Sequence, residues 1–143
     1  MDVERFKRVT DKIHSDIDKA YLADFQLSID ILAEKALAMP SLKHFWFGRL
    51  MRAKQEEKCI SEELERRRDF KRLETSRGLK IDVSPEVLSK MKLETDEKIE
   101  ELEQQLAEVA YKRELLDKTV GNISYNMTQD VRNMIDMHKL ETT

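Results

Sequence analysis

The sequence predicts an all-α protein built from long helices, and three observations carry that prediction. Only 3 Gly and 2 Pro interrupt 143 residues of which 38% are charged, a composition of solvated helices rather than of a sheet. Apolar residues recur at steps of three and four along most of the chain. In the last third these steps become a sustained heptad repeat, the pattern of helices packed on helices. The length suits one domain. Aromatic residues are only 6%, too few for a thick core. The apolar surface is therefore spread along the helices, and oligomerisation is the natural way to cover what one copy leaves open.

Val3, Phe6, Val9, Ile13 and Ile17 share one helical stripe, which Leu27, Ile31, Ala36 and Leu37 continue in a weaker phase. Residues 1–40 read as an N-terminal helical segment, with one or two helices over 3–38. Met39-Pro40-Ser41 marks a break, since proline suits a helix start and pushes the preceding residue out of the α region. A second helix is expected over 41–76, on a stripe of Trp46, Leu50, Ala53, Ile60 and Leu64 that Phe70 and Leu73 prolong after a phase shift. Gly78 fits its C-terminal cap. Residues 77–84 read as a loop that ends in Ser84-Pro85, an N-cap followed by proline at the first helical position.

The third helix, 85–140, is the clearest. Ile99, Leu102, Leu106, Val109, Leu116, Val120, Ile123, Met127, Met134 and Met137 hold the seam, and only Arg113 and Asp130 interrupt it. At ~1.5 Å per residue the rod would reach ~80 Å. It needs a partner helix from 41–76, from another subunit, or from both. Residues 41–143 thus form a helical hairpin, a coiled-coil-like subunit whose long helix is the candidate oligomerisation element. Gly121 is its weak point, at ~1 kcal/mol relative to Ala, and a bend is expected there.

Charge is unevenly placed. The net charge is −3, yet residues 43–80 hold twelve Lys or Arg against seven Asp or Glu, and residues 82–117 hold five against eleven. A basic second helix lies beside an acidic third one. The basic character peaks in "ERRRDFKRLETSRG", residues 65–78, with Arg66, Arg67, Arg68, Lys71, Arg72 and Arg77 on consecutive turns. At 100° per residue Arg68, Lys71 and Arg72 share a face with Arg67 at its edge. Such a face can track a phosphate backbone, releasing counterions and weakening steeply with salt. Phe70 within it suits base stacking. The plainer reading is a solvated face that pairs with Glu62, Glu63, Glu65, Asp69 and Glu74. "HFWFGRLMR" poses a similar choice. Phe45, Trp46 and Phe47 point three ways on a helix, so at least one is core, and the others are core, subunit interface or stacking platforms beside Arg49 and Arg52.

Catalytic patterns are missing. His14, His44 and His138 have no zinc-binding spacing, three glycines cannot build a phosphate loop, and no serine sits in a nucleophile elbow. The expectation is a protein that is not an enzyme and takes no cofactor or metal. Cys59 stands alone and reads as a buried bystander thiol. The charged N-terminus shows no signal peptide, and apolar runs are too short to span a bilayer, so a cytoplasmic protein without a membrane partner is expected. A membrane-surface module fits less well, because the basic helix lacks one continuous apolar face opposite its charges.

"VRNMIDMHKL" resembles the end of the UvsY-type recombination mediators of tailed phages, where an I-K-N-x-I-E-W-x-[KR]-F pattern recurs. Val131, Arg132 and Asn133 stand for its first three residues, Ile135 and Asp136 for the Ile-acid pair, Met137 for Trp, and Lys139-Leu140 for the basic-Phe end. "LETDEKI" (Leu93–Ile99) is similar to the family's L/M-x-x-D-x-x-I/L lead into its long helix, and "LAEKALAMPSL" (Leu32–Leu42) to its L-x-x-x-A-x-x-x-P-x-L segment. The likeness covers residues ~30–140 in order and spacing. Where the family ends helix two with a basic-x-Arg element and Tyr-Tyr-[ST]-Gly, this chain has "RRRDFKRLETSRG", basic but without the tyrosines. The resemblance implies a non-enzymatic, ring-like homo-oligomer, a hexamer or heptamer in the host cytoplasm. It implies binding of single-stranded DNA, weakening of the hold of the single-strand-binding protein, and help in loading a RecA-like recombinase. It also assigns DNA contact to the basic element of helix two and assembly to the C-terminal helix. The alternative is a non-catalytic coiled-coil adaptor or structural protein.

Overall fold

The computed structural model describes residues 1–25, 32–77 and 85–142, with the side chains of 32, 33, 36, 74–77, 85, 88, 126–128, 131 and 142 left aside. These residues are almost entirely helical, with α1 over Val3–Phe25, α2 over Leu32–Arg77, α3 over Pro85–Asn122, a π-helical turn over Ile123–Met127, and α4 over Thr128–Thr142. No strand occurs among them. The expected all-α class is what the chain adopts.

α2 and α3 form an antiparallel hairpin. Ion pairs join Glu57 to Arg113 and Glu56 to Lys112 near its middle, and Arg68 to Glu103 nearer its outer end. Trp46, Leu50, Ala53 and Leu64 on α2 are each at most 3% exposed, at the helical spacing read from the sequence. The seam of α3 meets them. Leu102, Val109, Leu116 and Ile123 are 5%, 8%, 2% and 1% exposed within this single chain, while Leu106, Val120 and Met134 pack partly buried against the same clusters. The sequence leaves the partner of this seam open between residues 41–76, another subunit and both, and within one chain the first of these covers much of it. The buried positions of the seam are covered by the chain's own α2 and α1. The Met127 side chain lies outside the described residues.

α1 lies along α3 in the same direction and closes the inner half of the hairpin into three helices. Asp2 starts α1, its Oδ1 accepting from the Arg5 backbone N–H at 3.0 Å, as an N-cap does. The Asp2 N–H donates to Gln104 Oε1 at 3.1 Å, and Gln104 Nε2 donates to the Asp2 carbonyl and to Glu108 Oε1. Gln104 is 3% exposed. The Arg5 guanidinium grips Glu101 with two bonds of 2.9 Å, the bidentate geometry that favours arginine at such sites. That bond, ahead of other causes, holds the Glu101 carboxyl below its ordinary value of 4.5. A depressed carboxyl adds stability above its unfolded-state pKa and loses it as pH falls through the folded value. Acidification below about pH 4.5 is therefore expected to loosen α1. Thermal melts followed by circular dichroism should show a smaller acid-induced drop for Glu101→Gln than for the parent chain.

At the other end of α1, Ile17 and Phe25 join Met39, Trp46, Leu50, Ala53, Leu116 and Ile123 in the main cluster. Trp46 is fully buried, its Nε1–H donating to Asp24 Oδ2 at 2.8 Å and its ring edge-on to Tyr21. Asn122 Nδ2 donates to Tyr21 Oη at 2.8 Å. Lys35 Nζ donates to the carbonyls of Ala23 and Asp24 and so caps the C-terminal end of α1. Among the described residues no buried side-chain polar atom lacks a partner.

Three expectations need correction. α2 does not start at Ser41: it begins at Leu32 and runs through Pro40. A proline inside a helix costs about 3 kcal/mol, and here contacts on both sides of it hold the helix. Met39 is buried, Leu42 packs on the main cluster, and Lys35 is tied to α1. Secondly, Cys59 is exposed rather than buried, because it lies well around α2 from Ala53 and Leu64. Thirdly, Gly121 stays within α3, and the irregularity comes just after it as the π-helical turn. A π turn takes in an extra residue and so rotates α4 about the helix axis relative to α3. Ile135 beside Met134 then faces the core, and Met137, expected in the seam, is 61% exposed. The expected Gly78 cap, the 77–84 loop apart from Arg77, and the Ser84 cap lie outside the described residues.

Candidate nucleic-acid interface

The last buried side chain of α2 among the described residues is Leu64, which closes a small cluster with Ile99 and Leu102. From residue 65 to 73 every side chain is exposed. Phe70 and Leu73, expected to prolong the core stripe, are 53% and 48% exposed. Steps of four and three from Leu64 land on Arg68 and Lys71 instead. The seam thus continues with cations, and α3 answers with carboxylates: Arg68 Nη2 lies 2.9 Å from Glu103 Oε1, and Lys71 pairs with Asp96. Beyond Leu64 the described part of the hairpin is a two-helix fork joined by ion pairs, with no buried side chain among the described residues of α2. α1 does not cover it, since α1 begins against Glu101 and Gln104.

The remaining cations bond to carboxylates of their own helix. Arg66 and Arg67 both reach Glu63 at 3.0 Å. Arg72 reaches Asp69 at 2.9 Å and Glu65 at 3.7 Å. The Arg67 bond, then burial opposing it and the charge of Arg66, sets the Glu63 carboxyl below its ordinary value. Arg66 and Arg72 are the most open, with 72% and 69% of their side-chain surface exposed. The structure therefore brings Arg66, Arg67, Arg68, Lys71 and Arg72 onto one fork but divides them, with Arg68 and Lys71 turned to α3 and Arg66 and Arg72 turned to solvent. The side chains of Arg77 and Glu74 lie outside the described residues.

The partners Asp96 and Glu103 were missed from the sequence. The signal that finds them is the α3 seam carried backwards against the α2 seam carried forwards in an antiparallel hairpin. Exposed ion pairs between long side chains contribute little, because water screens them and ordering the chains opposes them.

Among the described residues no group of three or more His, Cys, Asp or Glu is placed to hold a metal ion, and no helix is long and apolar enough to cross a membrane. Comparison with family models, curated proteins and solved structures returns no match to this chain.

Proposed function

We propose that the chain is a single-stranded DNA-binding recombination mediator. In this reading it acts without catalysis and helps load a RecA-like recombinase onto DNA covered by single-strand-binding protein. The observation that supports it most is the fork: five cations on the outer part of the hairpin, where no described side chain of α2 is buried, beside an exposed Phe70. The order and spacing of the UvsY-like segments point the same way. A ring-like hexamer or heptamer would present many forks to one strand. After the first contact the others are intramolecular, so weak contacts become tight binding. A strand held this way is drawn off its previous protein without nucleotide hydrolysis. With the seam occupied within the subunit, assembly would use apolar groups exposed on the π turn and α4, among them Tyr125 and Met137.

Filter binding of a labelled single-stranded oligonucleotide at low and moderate salt tests this reading. Retention at low salt that falls steeply with salt is expected. Absence of binding at both salts rejects it and leaves the second reading, a non-catalytic coiled-coil adaptor. One observation favours that second reading: each described cation of the fork already has a carboxylate partner within the chain. The two readings separate further in an Asp96→Asn, Glu103→Gln variant. Freed from competition, Lys71 and Arg68 should bind DNA more tightly, by about two- to fivefold on the scale of exposed ion pairs.

A further inference from the structure

From Lys35 to Gln55 the chain carries no Asp or Glu, although 29 of its 143 residues are acidic. This run forms the inner half of α2. Trp46, Leu50 and Ala53 turn its core side inward. Its other side is exposed and apolar, with Leu37, Phe45, Phe47 and Met51 between 47% and 84% exposed. Arg52, on this exposed side, carries no ion pair among the described residues. The first carboxylates beyond the run, Glu56 and Glu57, are engaged by Lys112 and Arg113 of α3. The charge of Arg52 is thus uncompensated, unlike the charges on the fork.

The face is also continuous with the fork. Phe45, Arg52, Cys59 and Arg66 recur at seven-residue spacing, which keeps them on one side of a helix in a hairpin of this kind. All four are exposed, and Phe70 comes one turn later. The line from Phe45 to Arg66 measures ~30 Å at ~1.5 Å per residue. Beside Phe45, Gly48 leaves open space where a Cβ would stand.

We infer that this outer edge of α2, from Phe45 through Arg52 to Arg66, is a second contact surface for a single nucleic-acid strand, continuous with the fork. The inference rests on the proposed DNA-binding reading and extends it along the helix. Exposed aromatic rings and cations along one edge suit a strand, since rings stack on bases of any sequence and cations track the phosphates.

Cys59 is the only cysteine and lies exposed midway along the line, so its alkylation by iodoacetamide reports on the path. Oligonucleotide is expected to slow that alkylation several-fold. Gly48→Glu places a carboxylate on the face where nothing obstructs it, with Gly48→Gln as the uncharged control. Gly48→Glu should weaken retention of long oligonucleotides by about tenfold, the scale of one lost base stack. Oligonucleotides short enough to occupy the fork alone should bind as before, and Gly48→Gln should match the parent. If the parent chain retains oligonucleotide while Cys59 keeps its full reactivity and Gly48→Glu binds normally, this surface is overturned and the fork stands. If the parent retains none, the DNA-binding reading itself falls. A change in sedimentation mass on Gly48→Glu would assign the face to contact between copies and also overturn the inference.

Discussion

Leu116→Asp is expected to abolish the fold rather than only change its assembly. Leu116 is 2% exposed, in one cluster with Ile17, Phe25, Trp46, Leu50 and Ile123, so α1, α2 and the π turn all lose contact there. Removing the isobutyl group forfeits about 1.5–3 kcal/mol of burial. A carboxylate in its place must be desolvated without a cation beside it, at a further several kcal/mol. Together these approach the whole stability of a typical domain, about 5–15 kcal/mol. The measurement is far-ultraviolet circular dichroism during heating, beside sedimentation. A variant that keeps a cooperative melt near that of the parent but sediments as a smaller species would return the seam to the role of an intersubunit surface.

A double substitution Arg66→Ala, Arg72→Ala is expected to act in the opposite way, leaving the fold untouched and weakening DNA binding. Both side chains are open to solvent, bond only to carboxylates of α2, and lie beyond Leu64, the last core residue of α2 among those described. Their loss removes two phosphate contacts per subunit. On single strands each contact contributes about 0.7 to the slope of log affinity against log salt, so the slope should flatten by about 1.4. Affinity at low salt should fall at least about tenfold, since several subunits lose contacts on the same strand. Filter binding across a salt series measures both quantities. An unchanged slope would remove Arg66 and Arg72 from the interface.

Much of the hairpin was legible because its signal is periodic. The three-and-four steps through Leu102, Leu116 and Ile123, and through Trp46, Ala53 and Leu64, report which side of each helix is buried, whatever covers it. They do not report the identity of the cover, which is why the seam read equally well as an intersubunit surface. The docking of α1 was illegible for another reason. Its N-terminal clamp uses Gln104, Glu108 and Glu101, polar residues that look solvated in a charged helix and gain a partner only when Asp2 and Arg5 arrive from a hundred residues away. Pro40 misled because a local rule competes with tertiary contacts, and the contacts of Met39 and Lys35 prevail. The π turn has no periodic signature, so the exposure of Met137 could not be anticipated. At the candidate site the basic run stood out in the sequence, while its division into α3-facing and solvent-facing cations depended on Asp96 and Glu103.

The end of the apolar core at Leu64 has an evolutionary consequence. Substitutions over residues 65–73 change which charges the fork displays while scarcely altering the melting temperature, so selection for foldedness is blind to this stretch. In the DNA-binding reading, only the strand the fork grips keeps its composition from drifting, and a lineage can retune that grip one residue at a time without risking the scaffold that carries it.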